Sequence, residues 1–445
     1  MIDEFFDIVE WRYEPDHAAI YFTFNSAKFG PFVEEIQFPA EFAPSLSKLV
    51  DAGSSLVDFL HVVLGVSYFK SFPVRNIRVA HTLGTSTQLN ALKELYSKGL
   101  GEFYARNNLE YPPDISWEVQ GFVQPTPLET GDAGSALLAF GGGKDTFVAR
   151  TLLRRSSRSI KLASVTTSER NVQLMSRIAP EPLCCVKRRI DPRLFHANAA
   201  GALNGHVPIT AINSCILTMC AFLQGCSWVV FANEFGSDEE TMEYNGHPVN
   251  HQYSKSADWE KWYRSVMAEI FSPGFEYFSI LRPVSELWIA NELSKDRQAL
   301  SLFRSCNKNF AIEKKCSADR WCTKCPKCAF TFLMLAPFLK PTEMEAIFGR
   351  NIFEDFTLFD VFESIVGLTN QKPWDCVGPT DEARATIIRL SQMDHWRNTK
   401  IVSSILESLK NAGVPDSLSL DDWNARIDKV GTYFMPEEAY HLLRL

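Results

Sequence analysis

The chain lacks a basic run. Its 45 lysines and arginines are outnumbered by 53 aspartates and glutamates, for a formal net charge of −8. Proteins that grip nucleic-acid phosphates concentrate positive charge, so non-specific nucleic-acid binding is disfavoured overall, although a local basic pocket is compatible with this balance. Met1-Ile2-Asp3-Glu4 is acidic, the opposite of a signal-peptide start. No uninterrupted apolar run of membrane length occurs: the most apolar long stretch, 211–232, contains Asn213, Ser214, Gln224, Gly225 and Ser227 and reads as a buried helix followed by a strand. Internal repeats, low-complexity tracts and coiled-coil patterns are missing too. The 11 cysteines are partly clustered, which in so long a chain suits metal-binding or structural thiols in a reducing compartment, not a disulfide scaffold. The expected location is cytoplasmic, with no membrane or nucleic-acid partner; oligomeric state is left open.

What the sequence does contain centres on 135–153, S-A-L-L-A-F-G-G-G-K-D-T-F-V-A-R-T-L-L. Residues 136–140 form an apolar run of strand length, and beyond Thr146 the apolar residues Phe147, Val148 and Leu152 recur at helical spacing. A strand, a glycine turn and a helix start together aim backbone N–H groups and the positive helix end at an anion. Gly141, Gly142 and Gly143 put no Cβ between main chain and ligand. The Walker pattern fails because Lys144 is followed by Asp145 rather than Ser or Thr, and G-x-G-x-x-G fails because Thr146 stands at its last glycine.

The length allows two or three domains. Residues 1–130 read as an N-terminal α+β domain, with strands over 19–23 and 33–38 and helices over 46–64 and 87–104. Residues 131–335 alternate strand and helix: strands at 160–165, 183–186 and 228–232, a helix at 169–178 and another ending at 223. That order implies an α/β unit with a parallel sheet covered on both faces and ligands beyond the strand ends, where Gly141 and Asn233-Glu234 fall. Residues 336–445 read as helical, with periodicity over 353–366, 382–390 and 400–409. Ser285 is a plausible cap for a helix opened by Glu286.

Two further clusters stand out. His247, Asn250, His251, Gln252 and Lys255 crowd a loop poor in apolar residues. Cys322, Cys325 and Cys328 form two overlapping C-x-x-C pairs, a spacing that puts three thiolates around one point; Cys306 or Cys316 would complete a tetrahedral zinc site of structural character.

The loop Gly141-Gly142-Gly143-Lys144-Asp145-Thr146 resembles the S-G-G-x-D-S loop of the ATP pyrophosphatases (PP-loop enzymes), with Gly141 and Thr146 in place of the two serines. From Gly141 through Cys328 the order of motifs is similar to the cyano-deazaguanine synthase branch of that group, which lacks the first and last hundred residues found here. Over its full length the pattern looks more like the UDP-N-acetylmuramoyl-L-alanyl-L-glutamate epimerases of peptidoglycan synthesis. Phe140 to Asp145, Ala232-Asn233-Glu234, Val249 to Ser256 and Trp321 to Cys328 carry that resemblance.

The resemblance implies a PP-loop type of α/β fold, ATP with Mg²⁺, cleavage between the α- and β-phosphates, and a UDP-sugar peptide as substrate. Gly141, Gly142, Gly143, Lys144 and Thr146 would hold the leaving phosphates, with Asn233 also nucleotide-binding. Asp145 would orient Mg²⁺ or the loop, and Lys255 would offset charge at the α-phosphate. His247, His251, Glu234 and Cys376 are the candidate acids and bases. An α-proton beside a carboxylate is hard to remove because the enolate would carry two negative charges; adenylylation neutralises the carboxyl and makes the proton accessible. The alternative is a PP-loop adenylating ligase or synthase forming an amide, nitrile or thiol, on a nucleobase or another carboxylate.

Overall fold

The computed structural model describes residues 4–51, 55–306, 321–369, 372–375, 377–415, 417–428 and 431–444. The chain forms two compact units, each assembled from separated segments. The first comprises Met1–Ala139, Ser157–Val230 and Glu243–Phe278; the second comprises Phe140–Ser156, Phe231–Met242 and Ser279–Leu445.

The first unit is built on a ten-stranded sheet. In chain order the strands are β1 (Phe5–Glu14), β2 (Ala19–Ser26), β3 (Gly30–Gln37), β4 (Asn76–Val79), β5 (Ser116–Val119), β6 (Asp132–Ala139), β7 (Ser159–Thr166), β8 (Leu183–Arg189), β9 (Cys226–Phe231) and, after the short hairpin β10 (Met242–Tyr244) and β11 (His247–Val249), β12 (Glu276–Ser279). Their spatial order is β12-β9-β6-β7-β8-β3-β2-β1-β4-β5. β9, β6, β7 and β8 run parallel, as the alternation of strands and helices predicts, with Leu138 opposite Leu162 and Val230. β9 is buried at every position, the mark of a strand covered on both faces. β1, β2 and β3 are antiparallel, whereas β4 and β5 add in parallel beyond β1.

The two halves of the sheet meet where β3 pairs antiparallel with β8, Ile36 opposite Arg188. Arg188 is fully buried there and donates to Glu34 Oε1 at 2.6 Å and to Ser67 Oγ at 2.9 Å. A buried charge pair of this kind is tolerated because each member satisfies the other. The sheet thus draws strands from both the 1–130 and the 131–335 segments.

The long apolar helices Ser55–Phe69 and Ile209–Leu223 fill the core of this unit, which is why both are apolar nearly all round. No single helix among the described residues is long and apolar enough to cross a membrane. The helix expected over 87–104 ends at Ser97; a 3-10 turn through Lys98–Leu100, with Gly99 at its centre, separates it from the helix Gly101–Arg106.

In the second unit the helix Lys144–Leu153 packs on Glu286–Ser294, which packs on Pro326–Leu335, which in turn meets Thr380–Ser391. Ser285 caps Glu286–Ser294 by accepting the Trp288 N–H at 3.0 Å, as its sequence context predicts. The stretch expected as one helix over 353–366 is two 3-10 turns followed by the short helix Phe359–Ile365. Trp396 closes this core, its ring 6.0 Å from Phe332 and 5.4 Å from Phe353, with the indole N–H donating to Ala336 O at 2.9 Å.

Candidate active site

β6 ends at Ala139, and Phe140 leads through three glycines into the helix Lys144–Leu153. Gly142 has φ +70°, a left-handed conformation that costs a residue with a Cβ about 1–2 kcal/mol. A Cβ on Gly143 would lie 3.1 Å from Ser305 Oγ, whereas one on Gly141 would have no neighbour within 4 Å, so the loop is open on the Gly141 side. Gly143 is the N-cap and offers no capping side chain. The loop is held instead by a neighbouring segment. Arg304 N–H donates to Gly142 O at 2.7 Å, and the Lys144 N–H points to Ser305 Oγ at 3.4 Å. Thr146 Oγ1 donates back to Gly143 O at 3.0 Å. The start of a ten-residue helix without a side-chain cap is a favourable place for an anion.

Lys144 itself is fully buried, and its ammonium is ion-paired with Asp145 and Glu286. Burial opposes the charge, but Asp145, Glu286 and Glu234 outweigh it and hold the lysine pKa above its ordinary value. Glu286 is pushed up to about 7: burial dominates, Lys144 and Lys327 oppose it, and Glu234 and Asp145 add to it. Glu382, on Thr380–Ser391, accepts the Leu287 N–H at 2.9 Å and is raised to about 8 by burial and by Glu286. A carboxyl that titrates near neutrality can take up or release a proton at working pH.

A stability consequence follows from these two carboxyls. Both have folded-state pKa values above the ordinary 4.5, so their contribution is fully present below about 4.5 and is lost as pH rises through about 7 and about 8. In Glu382→Gln, which keeps an acceptor for the Leu287 N–H, the fall in melting temperature between about pH 5 and about pH 9 should be flatter than in the parent. At the alkaline end the variant should be the more stable of the two. Parallel curves for variant and parent would remove Glu382 as a source of the pH dependence.

The segment after β9 is fixed around a buried arginine. Arg282 donates to Glu234 O at 3.1 Å and to Ser237 Oγ at 2.9 Å. Asn233 Nδ2 donates to Ser279 Oγ at 3.0 Å. Glu234 is thereby kept close enough to Lys144 and Glu286 to act on both electrostatically.

Cys306, Cys322, Cys325 and Cys328 converge, with all four sulfurs within 4.8 Å of one another. Cys322 and Cys328 are 3.6 Å apart, and Cys325 and Cys328 are 3.5 Å apart. A tetrahedral zinc–thiolate site has sulfur–sulfur edges of about 3.8 Å, so the four thiols fit such an ion with little adjustment. The rival ligand Cys316 and the acid–base candidate Cys376 lie outside the described residues.

His247, His251 and Lys255 belong to the first unit. His247 is exposed on β11, its ring 6.2 Å from that of Tyr111. His251 is buried, its ring 6.2 Å from that of His206. Lys255 Nζ donates to Gln252 Oε1 at 3.2 Å. Burial, then the charges of His251, Lys255 and Lys70, hold the His206 pKa below its ordinary value. Lys70 donates to Asn204 Oδ1 at 2.6 Å and to Gly205 O at 2.9 Å.

Sequence reasoning reached the loop, Asp145, Glu234 and the cysteines, but not Glu286 as a site residue, nor Glu382, Ser305, His206 or Lys70. For Glu286 a signal exists: it shares a helical stripe with Ile289, Ala290 and Leu293, and a carboxylate on an apolar stripe is a buried carboxylate.

The family model described as the MurL N-terminal domain matches residues 2–280, and that described as the MurL C-terminal domain matches residues 302–419. The UDP-N-acetyl-alpha-D-muramoyl-L-alanyl-L-glutamate epimerase of a Micromonospora species is 34% identical over 392 residues, covering 87% of this chain and 87% of the relative. The protein of the same name from Salinispora tropica is 34% identical over 392 residues, covering 87% and 85%. That from Xanthomonas oryzae pv. oryzae is 32% identical over 366 residues, covering 82% and 81%. No solved structure matches the chain.

Proposed function

The chain belongs to the MurL family, and on that premise we propose that it is an epimerase that inverts the terminal L-glutamate of UDP-MurNAc-L-Ala-L-Glu to D-glutamate in peptidoglycan precursor synthesis. The substrate carboxylate attacks the α-phosphorus of ATP and pyrophosphate leaves; after inversion at the α-carbon, water cleaves the acyl adenylate to release the D-glutamyl product and AMP. The observation that supports the ATP step is the open, left-handed glycine turn at a helix start whose N-cap, Gly143, has no side chain, joined to the resemblance of residues 141–146 in sequence to the PP-loop motif.

The chemistry of this chain's residues then divides into three parts. Gly141, Gly142, Gly143 and Thr146 cradle the phosphates. Asp145, Glu234 and Glu286 make the surroundings acidic; Asp145 would hold Mg²⁺, whose charge would offset the repulsion between these carboxylates and a polyphosphate. Lys144 supplies the cation already embedded among those carboxylates. Glu234 is the acid–base candidate that belongs to the loop's own unit, and His251 is the candidate of the first unit that the experiment below tests. Zinc is the metal that suits four thiolates at the observed spacings, and its role is structural.

In ²H₂O with ATP and Mg²⁺, deuterium should enter the glutamyl α-carbon of UDP-MurNAc-L-Ala-L-Glu as the centre inverts. With an ATP analogue that resists cleavage between the α- and β-phosphates, no deuterium should enter. Exchange at full rate without ATP would mean that the bare carboxylate suffices, and the adenylate would be abandoned. A requirement for ammonia or a sulfur donor would point to a ligase or synthase instead. His251→Asn separates the roles. If His251 is a base, pyrophosphate release survives and exchange is lost; loss of both places it in the ATP site.

A further inference from the structure

We propose that the metal held by the four cysteines sets the position of the glycine loop, with Ser305 as the positioning residue between them. This rests on reading the loop as a phosphate cradle and the thiols as a zinc site.

The argument starts from three consecutive residues. Arg304 holds Gly142 O through its backbone N–H at 2.7 Å. Ser305 is buried, with its Oγ 3.4 Å from the Lys144 nitrogen and 3.1 Å from the place a Gly143 Cβ would take. Cys306, the next residue, puts its buried sulfur into the four-thiol group. The segment that grips the loop is therefore covalently continuous with a metal ligand.

The segment has no regular structure of its own. The helix Arg297–Leu302 has ended, and 303–306 form neither helix nor strand. Its near end is anchored by Phe303, fully buried with its ring 5.1 Å from Trp321. Its far end is anchored at Cys306.

The other three ligands sit on a firm base. Thr323 has φ +52°, and Arg350 holds that turn by donating to Thr323 Oγ1 and to Thr323 O, both at 2.9 Å. Cys325 is the N-cap of Pro326–Leu335, and Cys328 lies within that helix. The same helix brings Phe330 to the place where Glu286 lies: a Cβ on Gly378 would meet both Glu286 Cγ and Phe330 Cζ, at 2.6 and 2.7 Å. An ion joining Cys306 to this base transmits its rigidity through Ser305 to Gly143 and Lys144. Second-sphere support of this sort commonly decides whether a loop is pre-positioned or must be ordered on binding.

The test is hydrogen–deuterium exchange of peptides covering 140–147, without nucleotide, in protein loaded with one equivalent of zinc and in protein stripped by a chelator. Zinc content is read by elemental analysis and the fold by circular dichroism. Stripping should speed exchange in 140–147 by roughly tenfold or more, the size expected where about 1.4 kcal/mol of local stabilisation is lost. Ser305→Ala should still bind one zinc, show the same faster loop exchange, and raise the KM for ATP more than it lowers kcat. Equal loop exchange with and without zinc, while 321–328 responds, would overturn the proposal. So would a Ser305→Ala protein with parental loop exchange. Failure to take up zinc would overturn both the metal assignment and the proposal. Zinc-dependent loop protection in a protein that binds no ATP would support the coupling and overturn the phosphate-cradle reading alone.

Discussion

Gly142→Val should reduce ATP-dependent epimerisation by about a thousandfold or more while the protein stays folded. The residue sits at φ +70°, where any Cβ is strained by about 1–2 kcal/mol and a β-branched one by more. Relieving that strain requires rotation about the residue's own N–Cα bond, which turns the Gly141–Gly142 peptide or swings the chain beyond it and so displaces the N–H groups at the mouth of the helix. Gly142 O would then leave the Arg304 N–H, now 2.7 Å away. Loss of preorganised donors at a phosphate site typically costs orders of magnitude in rate. The stability cost is that of one strained turn, so the melting temperature should fall by only a few degrees. Gly142→Ala should fall between parent and valine variant. Pyrophosphate release, deuterium incorporation and a thermal melt on the same preparations decide the matter. Parental turnover by the valine variant would refute the loop assignment.

Lys144→Ala should be the most destabilising single change in this unit at alkaline pH. The ammonium is fully buried, paired with Asp145 and Glu286 and favoured by Glu234. Without it Asp145, Glu234 and Glu286 lose the cation they share, and Glu286 keeps only the weaker influence of Lys327. Removing one partner of a buried pair costs about 3–5 kcal/mol. The loss should shrink as pH falls, because Glu286, already raised to about 7, takes up a proton and its charge disappears. Urea unfolding at about pH 8 and about pH 5 should show a much larger deficit at the higher value. Lys144→Met combined with Glu286→Gln removes both charges and should recover most of the stability but none of the activity. A deficit independent of pH would mean that lost packing, not exposed charge, explains the effect.

Much of the architecture was readable from pattern because the parallel strands and their helices are periodic. β7, β8 and the helix Glu169–Ile178 lie where apolar spacing puts them. β1 was not readable: a register shift between Ile8 and Glu10 breaks the period-2 alternation midway. β4, β5 and β12 are four residues each, too short to show a period. In the site, motifs compressed into a few residues were visible, as at 141–146 and 322–328. Partnerships made by folding were not. Nothing near Lys144 in sequence announces Glu286, and nothing near Gly143 announces Ser305. The resemblance gave Lys144 to the phosphates without showing that its charge is balanced by buried carboxylates.

The interleaving of the two units has a consequence during synthesis. The helix Lys144–Leu153 leaves the ribosome more than a hundred residues before Glu286–Ser294, the helix it packs on. At about 5–20 residues per second that is a wait on the order of 10 s, during which Lys144 has been made and Glu286 has not. The matches to the two family models divide between residues 280 and 302, yet both sides of that division are needed to close the second unit. A nascent chain stopped at residue 280 therefore carries a glycine loop with neither the segment that grips it nor the carboxylate that balances its lysine. Such a fragment is a natural client for chaperones, and the two halves made as separate polypeptides would recover a working loop only by finding each other.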